Sequence, residues 1–166
     1  MTARAGVLVL LALALYFALT RLWPDDERRI RDTLDELAAV VSAPAGDGIA
    51  LVTRAAQLGS FFADDVVIDL GRPFNPIHGR ETIVGLAARM QIPGEGLDVR
   101  FVDVTVDLLP GGDVAVVRLT ATVRAHGQSV LDRTLDAKEL EMRLRKVGGD
   151  WTIDEVLGVE TIERVR

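Results

Sequence analysis

The 166-residue chain has no cysteine, two histidines and one tyrosine. Without cysteine there is no disulfide scaffold, thiolate zinc site, iron–sulfur cluster, cysteine nucleophile or lipoprotein attachment. The histidines, His78 and His126, have no ligand partner at i+3 or i+4, so no metal is expected. Basic residues are outnumbered, 19 against 25 acidic, for a net charge of −6. Arg4 and Arg21 flank an N-terminal apolar run, which leaves residues 24–166 with 17 basic and 25 acidic side chains. So acidic a body does not suit a phosphate backbone, and no nucleic-acid partner is expected. A P-loop and a dinucleotide-type glycine pattern are also missing, and none of Ser42, Ser60 and Ser129 sits in a nucleophile elbow. No cofactor is expected.

What is present suits a single domain with a sizeable core and a short extension: 49% of residues are apolar and 27% charged. Residues 5–20, AGVLVLLALALYFALT, carry no charge. As a helix they span roughly 24 Å against a hydrocarbon core of ~30 Å. Snorkelling Arg4 and Arg21, with Leu22 and Trp23 at the interface, cover the difference. No small-x-small cleavage site follows, which favours an uncleaved anchor over residues 1–23, ahead of a body at 24–166, with the bilayer engaged through residues 5–23. A cleaved secretory signal and an ordinary buried helix are the rival readings. Arg21, Arg28, Arg29 and Arg31 argue for a cytoplasmic body, whereas the very short positive tail is the layout of an exported anchor. The expectation is a single-pass protein with its body outside the cytoplasm.

Pro24 and the acidic Asp25, Asp26 and Glu27 open a first helix, with Ile30, Leu34, Leu37 and Val41 as its apolar stripe. Ala43–Gly48 ends it. A second helix runs from Ile49 to about Leu58 on the pattern Ile49, Val52, Ala56, and a strand spans Val66–Leu70. A third helix follows Gly79 with Ile83, Leu86, Ala87 and Met90 on one face. From Leu97 the period becomes 2. Over 98–108, Val102, Val104, Val106 and Leu108 oppose Phe101, Asp103, Thr105 and Asp107. Over 114–125, Ala115, Val117, Leu119, Ala121 and Val123 form one face. The apolar parity flips between Leu131/Leu135 and Leu140/Met142/Leu144, which predicts a β-bulge near Asp136–Lys138. Gly148-Gly149-Asp150 turns into a last strand, Trp151 to about Glu160. The fold class is therefore α+β, three helices packed in a curved, bulged antiparallel sheet.

The stretch FFADDVVIDLGRPFNPIHGRETIV, residues 61–84, resembles the signature of the nuclear transport factor 2-like superfamily, in particular its ketosteroid isomerase and SnoaL-like branches. The matching pieces are Phe62-Ala63-Asp64-Asp65, the short strand, the Pro/Gly loop and Ile77-His78-Gly79-Arg80-Glu81. Gly148–Ile153 also fits, and the resemblance covers roughly residues 25–162. It implies a cone whose sheet and helices enclose an apolar pocket, commonly dimeric through the sheet's outer face. Aligned with the isomerase branch, the general-base position is Leu70 and the second acid position is Leu140. The oxyanion-hole tyrosine is absent from the first helix, since Tyr16 lies in the apolar run.

A leucine moves no proton at any pKa, so the resemblance implies a scaffold that has lost the isomerase activity. The expected pocket is lined by Leu70, His78, Leu140, Met142 and Leu144, and holds an apolar small molecule unless the module instead docks a protein partner. The alternative is a lyase, isomerase or hydrolase using His78, Asp69 or Glu139/Glu141. Against it, alternation turns Asp69 away from the cavity, and Asp103 and Asp107 lie ~13 Å apart, too far for a working pair. Glu139, Glu141, Arg143 and Arg145 are expected on the outer sheet face, solvated or at a homodimer interface.

Overall fold

The computed structural model describes residues 26–43, 48–89, 97–125 and 136–159. Helices α1 (Asp26–Ser42), α2 (Ile49–Ser60) and α3 (Arg80–Arg89) accompany strands β1 (Phe62–Asp69), β2 (Ile77–His78), β3 (Leu97–Leu108), β4 (Val114–Ala125), β5 (Asp136–Val147) and β6 (Asp150–Gly158). The anchor expected over residues 5–23 lies outside the described residues. Among the described residues no helix is long and apolar enough to cross a membrane.

The strands form one six-stranded sheet in the order β2-β1-β6-β5-β4-β3. It is mixed, which corrects the antiparallel expectation: β1 runs parallel to β6, while every other pairing is antiparallel. The cause is topological. β1 precedes the whole meander and returns beside its last strand, a non-local pairing that no alternation pattern encodes.

Ile30, Leu34 and Leu37 are buried as their spacing predicts, joined by Val40, while Val41 is partly buried. Each fully buried aliphatic side chain contributes ~1.5–3 kcal/mol. They meet Ala115, Val117 and Leu119 of β4, Leu140, Met142 and Leu144 of β5, and Trp151, Ile153 and Val156 of β6. The alternation expected for β4 is present.

Three expectations need correction. In α2 the buried residues are Ala55 and Gly59, whereas Ile49, Val52 and Ala56 face solvent. In β3 the register shifts between Val102 and Thr105, and Asp103 adopts φ 55°. That inserted residue reverses the parity, so Phe101, Val104 and Val106 all pack on the core while Val102 is exposed. In β5 the pairing with β4 is regular from Asp136 to Arg145, so no bulge occurs at Asp136–Lys138; the break is against β6, between Arg143 and Leu144. Leu131 and Leu135 lie outside the described residues.

Candidate functional site

α1 runs from the β5–β6 hairpin to the start of β3. At its far end the Ser42 hydroxyl accepts a hydrogen bond from the Val99 amide at 2.8 Å, tying the helix terminus to β3. Arg54 of α2 reaches the same terminus: Nε donates to the Val40 carbonyl at 3.0 Å and Nη2 to the Val41 carbonyl at 2.9 Å. These carbonyls have no partner within the helix and carry the negative end of its dipole, so a guanidinium both satisfies and neutralises them. α2 in turn lies close against α3, because residue 59 is glycine: a Cβ there would fall 2.5 Å from Val84 Cγ2.

Between these elements lies an apolar cleft of about 100 Å³, lined by Val40, Val41, Leu51, Arg54, Ala55, Leu58, Ala87 and Leu97. Sequence reasoning missed it by choosing the wrong face of α2. The stripe Leu51, Ala55, Leu58, at i, i+4, i+7, was the available signal. With the Arg54 guanidinium committed to two backbone carbonyls, the lining offers an apolar wall and no acid–base pair.

Leu140, Met142 and Leu144 share one face of β5 and are buried in the core, with Leu70 partly buried against it. His78 is not brought together with them. Its β2 position pairs with Val67, on the opposite side of the sheet from Val66 and Ile68, and its side chain is exposed. Ile77, paired with Ile68, is the inward residue of β2. The Asp69 carboxylate accepts a hydrogen bond from the Gly71 amide at 2.9 Å, closing the turn that leaves β1.

On the outer face Arg118 bridges Asp107 (2.9 Å) and Glu141 (3.0 Å), and Arg145 bridges Asp65 (2.9 Å) and Asp154 (2.7 Å). Glu139 and Arg143 are exposed on that face, as alternation predicts. No group of three potential metal ligands lies together among the described residues.

Among the described residues one charged residue is buried, and the sequence did not single it out. Asp26, 6% exposed at the first turn of α1, accepts hydrogen bonds through Oδ1 from Lys146 Nζ at 2.8 Å and Trp151 Nε1 at 3.2 Å. The Lys146 ammonium also sits 5.5 Å from the Trp151 ring centroid. Burial by itself raises the Asp26 pKa. The two hydrogen bonds, with the charges of Lys146 and Arg29, outweigh it and hold the carboxyl below its ordinary value.

Three helices packed on one face of a sheet with this strand order, the Ala-Asp-Asp segment on β1, and the Ile-His-Gly-Arg segment running from β2 into the start of α3 coincide with a match of residues 25–156 to the SnoaL-like domain. The chain belongs to the SnoaL-like domain family. Solved structures similar to this SnoaL-like domain include a nuclear transport factor 2-like protein with a cystatin-like fold from Novosphingobium aromaticivorans. It is 16% identical, with a TM-score of 0.65 over 92% of this chain and 90% of that one. A nuclear transport factor 2-like protein of unknown function from Pseudomonas putida is 13% identical, with a TM-score of 0.63 over 84% and 89%. A second Novosphingobium aromaticivorans protein, described as a candidate scytalone dehydratase, is 17% identical, with a TM-score of 0.55 over 84% and 86%. At these identities the likeness establishes the fold alone. No curated protein matches this SnoaL-like chain.

Proposed function

We propose that this SnoaL-like domain is a membrane-tethered binding module that holds a small apolar molecule in the cleft between α1, α2, α3 and β3, without catalysing proton transfer. The observation that carries this reading is the cleft's lining, seven aliphatic residues around one arginine, two of whose donors are held by carbonyls at the end of α1. Its volume of about 100 Å³ is comparable to the ~150 Å³ of an engineered apolar cavity that takes up benzene. The occupant is therefore a single ring or the end of an alkyl chain, with the remainder of the ligand reaching out of the cleft.

Leu70 and Leu140, at the positions where the isomerase branch keeps its acids, support the same conclusion. A dehydratase, the description given to one structural neighbour, needs an acid and a base at the reacting carbons. The lining of this cleft supplies neither. The tether is supported by the uncharged run at residues 5–20, bounded by Arg4 and Arg21.

Full-length protein purified in mild detergent and sprayed under native conditions is expected to carry a small apolar adduct that organic solvent strips away. A chain that is always ligand-free, and takes up no apolar compound, contradicts the binding reading. Carbonate extraction is expected to leave the chain in the membrane fraction; release into the supernatant contradicts the tether.

A further inference from the structure

Of the nine exposed large apolar side chains among the described residues, three lie together on adjacent turns at one end of the sheet. Leu108 and Leu109, at the β3–β4 turn, are 45% and 39% exposed, and Val147, at the β5–β6 turn, is 56% exposed. The two turns are neighbours: Val114 pairs with Arg145, and the Lys146 amide donates to the Asp113 carbonyl at 2.8 Å. Gly148 and Gly149, at φ 63° and 100°, make the β5–β6 turn a tight one, so Val147 stands at the extremity of the sheet. Single exposed aliphatics call for no explanation, whereas a group on adjacent hairpin tips does.

The same end is where the chain enters the fold. Asp26, the first residue of α1, is held by Lys146 and Trp151 of the β5–β6 hairpin. Trp23 closes the apolar N-terminal run, and three residue steps of ~3.8 Å keep it within about 11 Å of Asp26. If residues 5–23 sit in a bilayer, the Asp26 end of the body cannot be far from the headgroups. The Asp26 clamp also makes the start of α1 and the β5–β6 hairpin a single rigid piece, so the tether fixes which end faces the lipid.

We propose that this end of the sheet rests on the bilayer surface, with Leu108, Leu109 and Val147 inserted among the headgroups as a second, interfacial contact. The inference rests on the tether reading above. Exposed Asp113 and Asp150 beside the patch make a zwitterionic surface the fitting one, since anionic lipid would repel them. The cleft then opens at the opposite end, towards the aqueous side, because it is built from the far end of α1 and the start of β3.

The absence of cysteine permits a direct test. Full-length Leu108→Cys, Leu109→Cys and Val147→Cys, with Ile49→Cys as the control at the far end of α1, are labelled with an environment-sensitive fluorophore. All four positions are well exposed, so the fold tolerates the change. The variants are then reconstituted in phosphatidylcholine vesicles. Insertion of ~5–10 Å brings the three patch labels within reach of lipid-borne nitroxides. Their emission is expected to fall about twofold and to resist aqueous iodide, with the opposite behaviour at position 49. Patch labels as open to iodide as position 49, in protein that carbonate still leaves in the membrane, overturn the inference and spare the tether. Patch labels shielded from both quenchers also overturn it, in favour of a covering protein. Release by carbonate removes the tether reading and the inference with it.

Discussion

Asp26 is the residue where the most depends on one side chain. It places negative charge in the first turn of α1, counters a lysine that is itself mostly buried, and accepts the Trp151 indole N–H. Asp26→Asn keeps the shape and removes the charge, leaving Lys146 without its counterion. Unfolding in urea at neutral pH is expected to show a loss of about 2–3 kcal/mol, below the full penalty for a completely enclosed pair because Lys146 keeps some solvent. The pH dependence has a definite sign. The folded-state pKa of Asp26 is depressed, so the unfolded chain takes up the proton first and the stabilisation is complete above the ordinary carboxylate value of ~4. It is lost as pH falls through the lower folded-state value. The stability of the wild type relative to Asp26→Asn is therefore expected to shrink as the pH falls below about 5 and to be constant above it.

At the scale of elements, the contact between α2 and α3 turns on Gly59. A Cβ at this position relieves the helix propensity cost of glycine, worth ~0.5–1 kcal/mol, but collides with Val84 Cγ2, where overpacking costs ~1–3 kcal/mol. Gly59→Ala is expected to lower the thermal midpoint through a net loss of about 1 kcal/mol, and adding Val84→Ala is expected to restore it. Arg54→Ala removes both donors from the terminus of α1, and a loss of ~1–2 kcal/mol in chemical unfolding is expected.

Elements with an unambiguous period were legible in the sequence. α1 declares itself through Ile30, Leu34 and Leu37, and β4 through Ala115, Val117 and Leu119, because one face of each is buried along most of its length. α2 was legible as a helix but not in its facing. Its two candidate stripes are similarly apolar, and only its neighbours decide that Ala55 and Gly59 turn inward. The β3 bulge was not legible, since every residue around Asp103 suits a strand. An aspartate tolerates the left-handed conformation without announcing it. The cleft inherits that gap. It is formed by three helices and one strand distant in sequence, so mistaking the face of α2 hides it.

At the scale of the whole molecule, Arg118 pairs with Asp107 and Glu141 on the outer face of the sheet, while Leu140, Met142 and Leu144 behind them are aliphatic, and the Lys146–Asp26 pair stands apart at the end of the sheet where α1 begins. This separation explains how a SnoaL-like scaffold can keep its shape with leucine at positions 70 and 140. A β,γ-unsaturated ketosteroid is expected to show no conjugated product above the buffer rate when the protein is added, followed by ultraviolet absorbance. The most direct test of the binding reading is a titration of full-length, isotope-labelled protein with indole, a probe that approximates the cleft, followed by amide chemical shifts. Saturable shifts are predicted at Val41, Leu51, Ala55, Leu58, Ala87 and Leu97, and their loss is predicted in Leu51→Phe, whose ring fills the space. Shifts that never saturate, or that persist unchanged in Leu51→Phe, would contradict it.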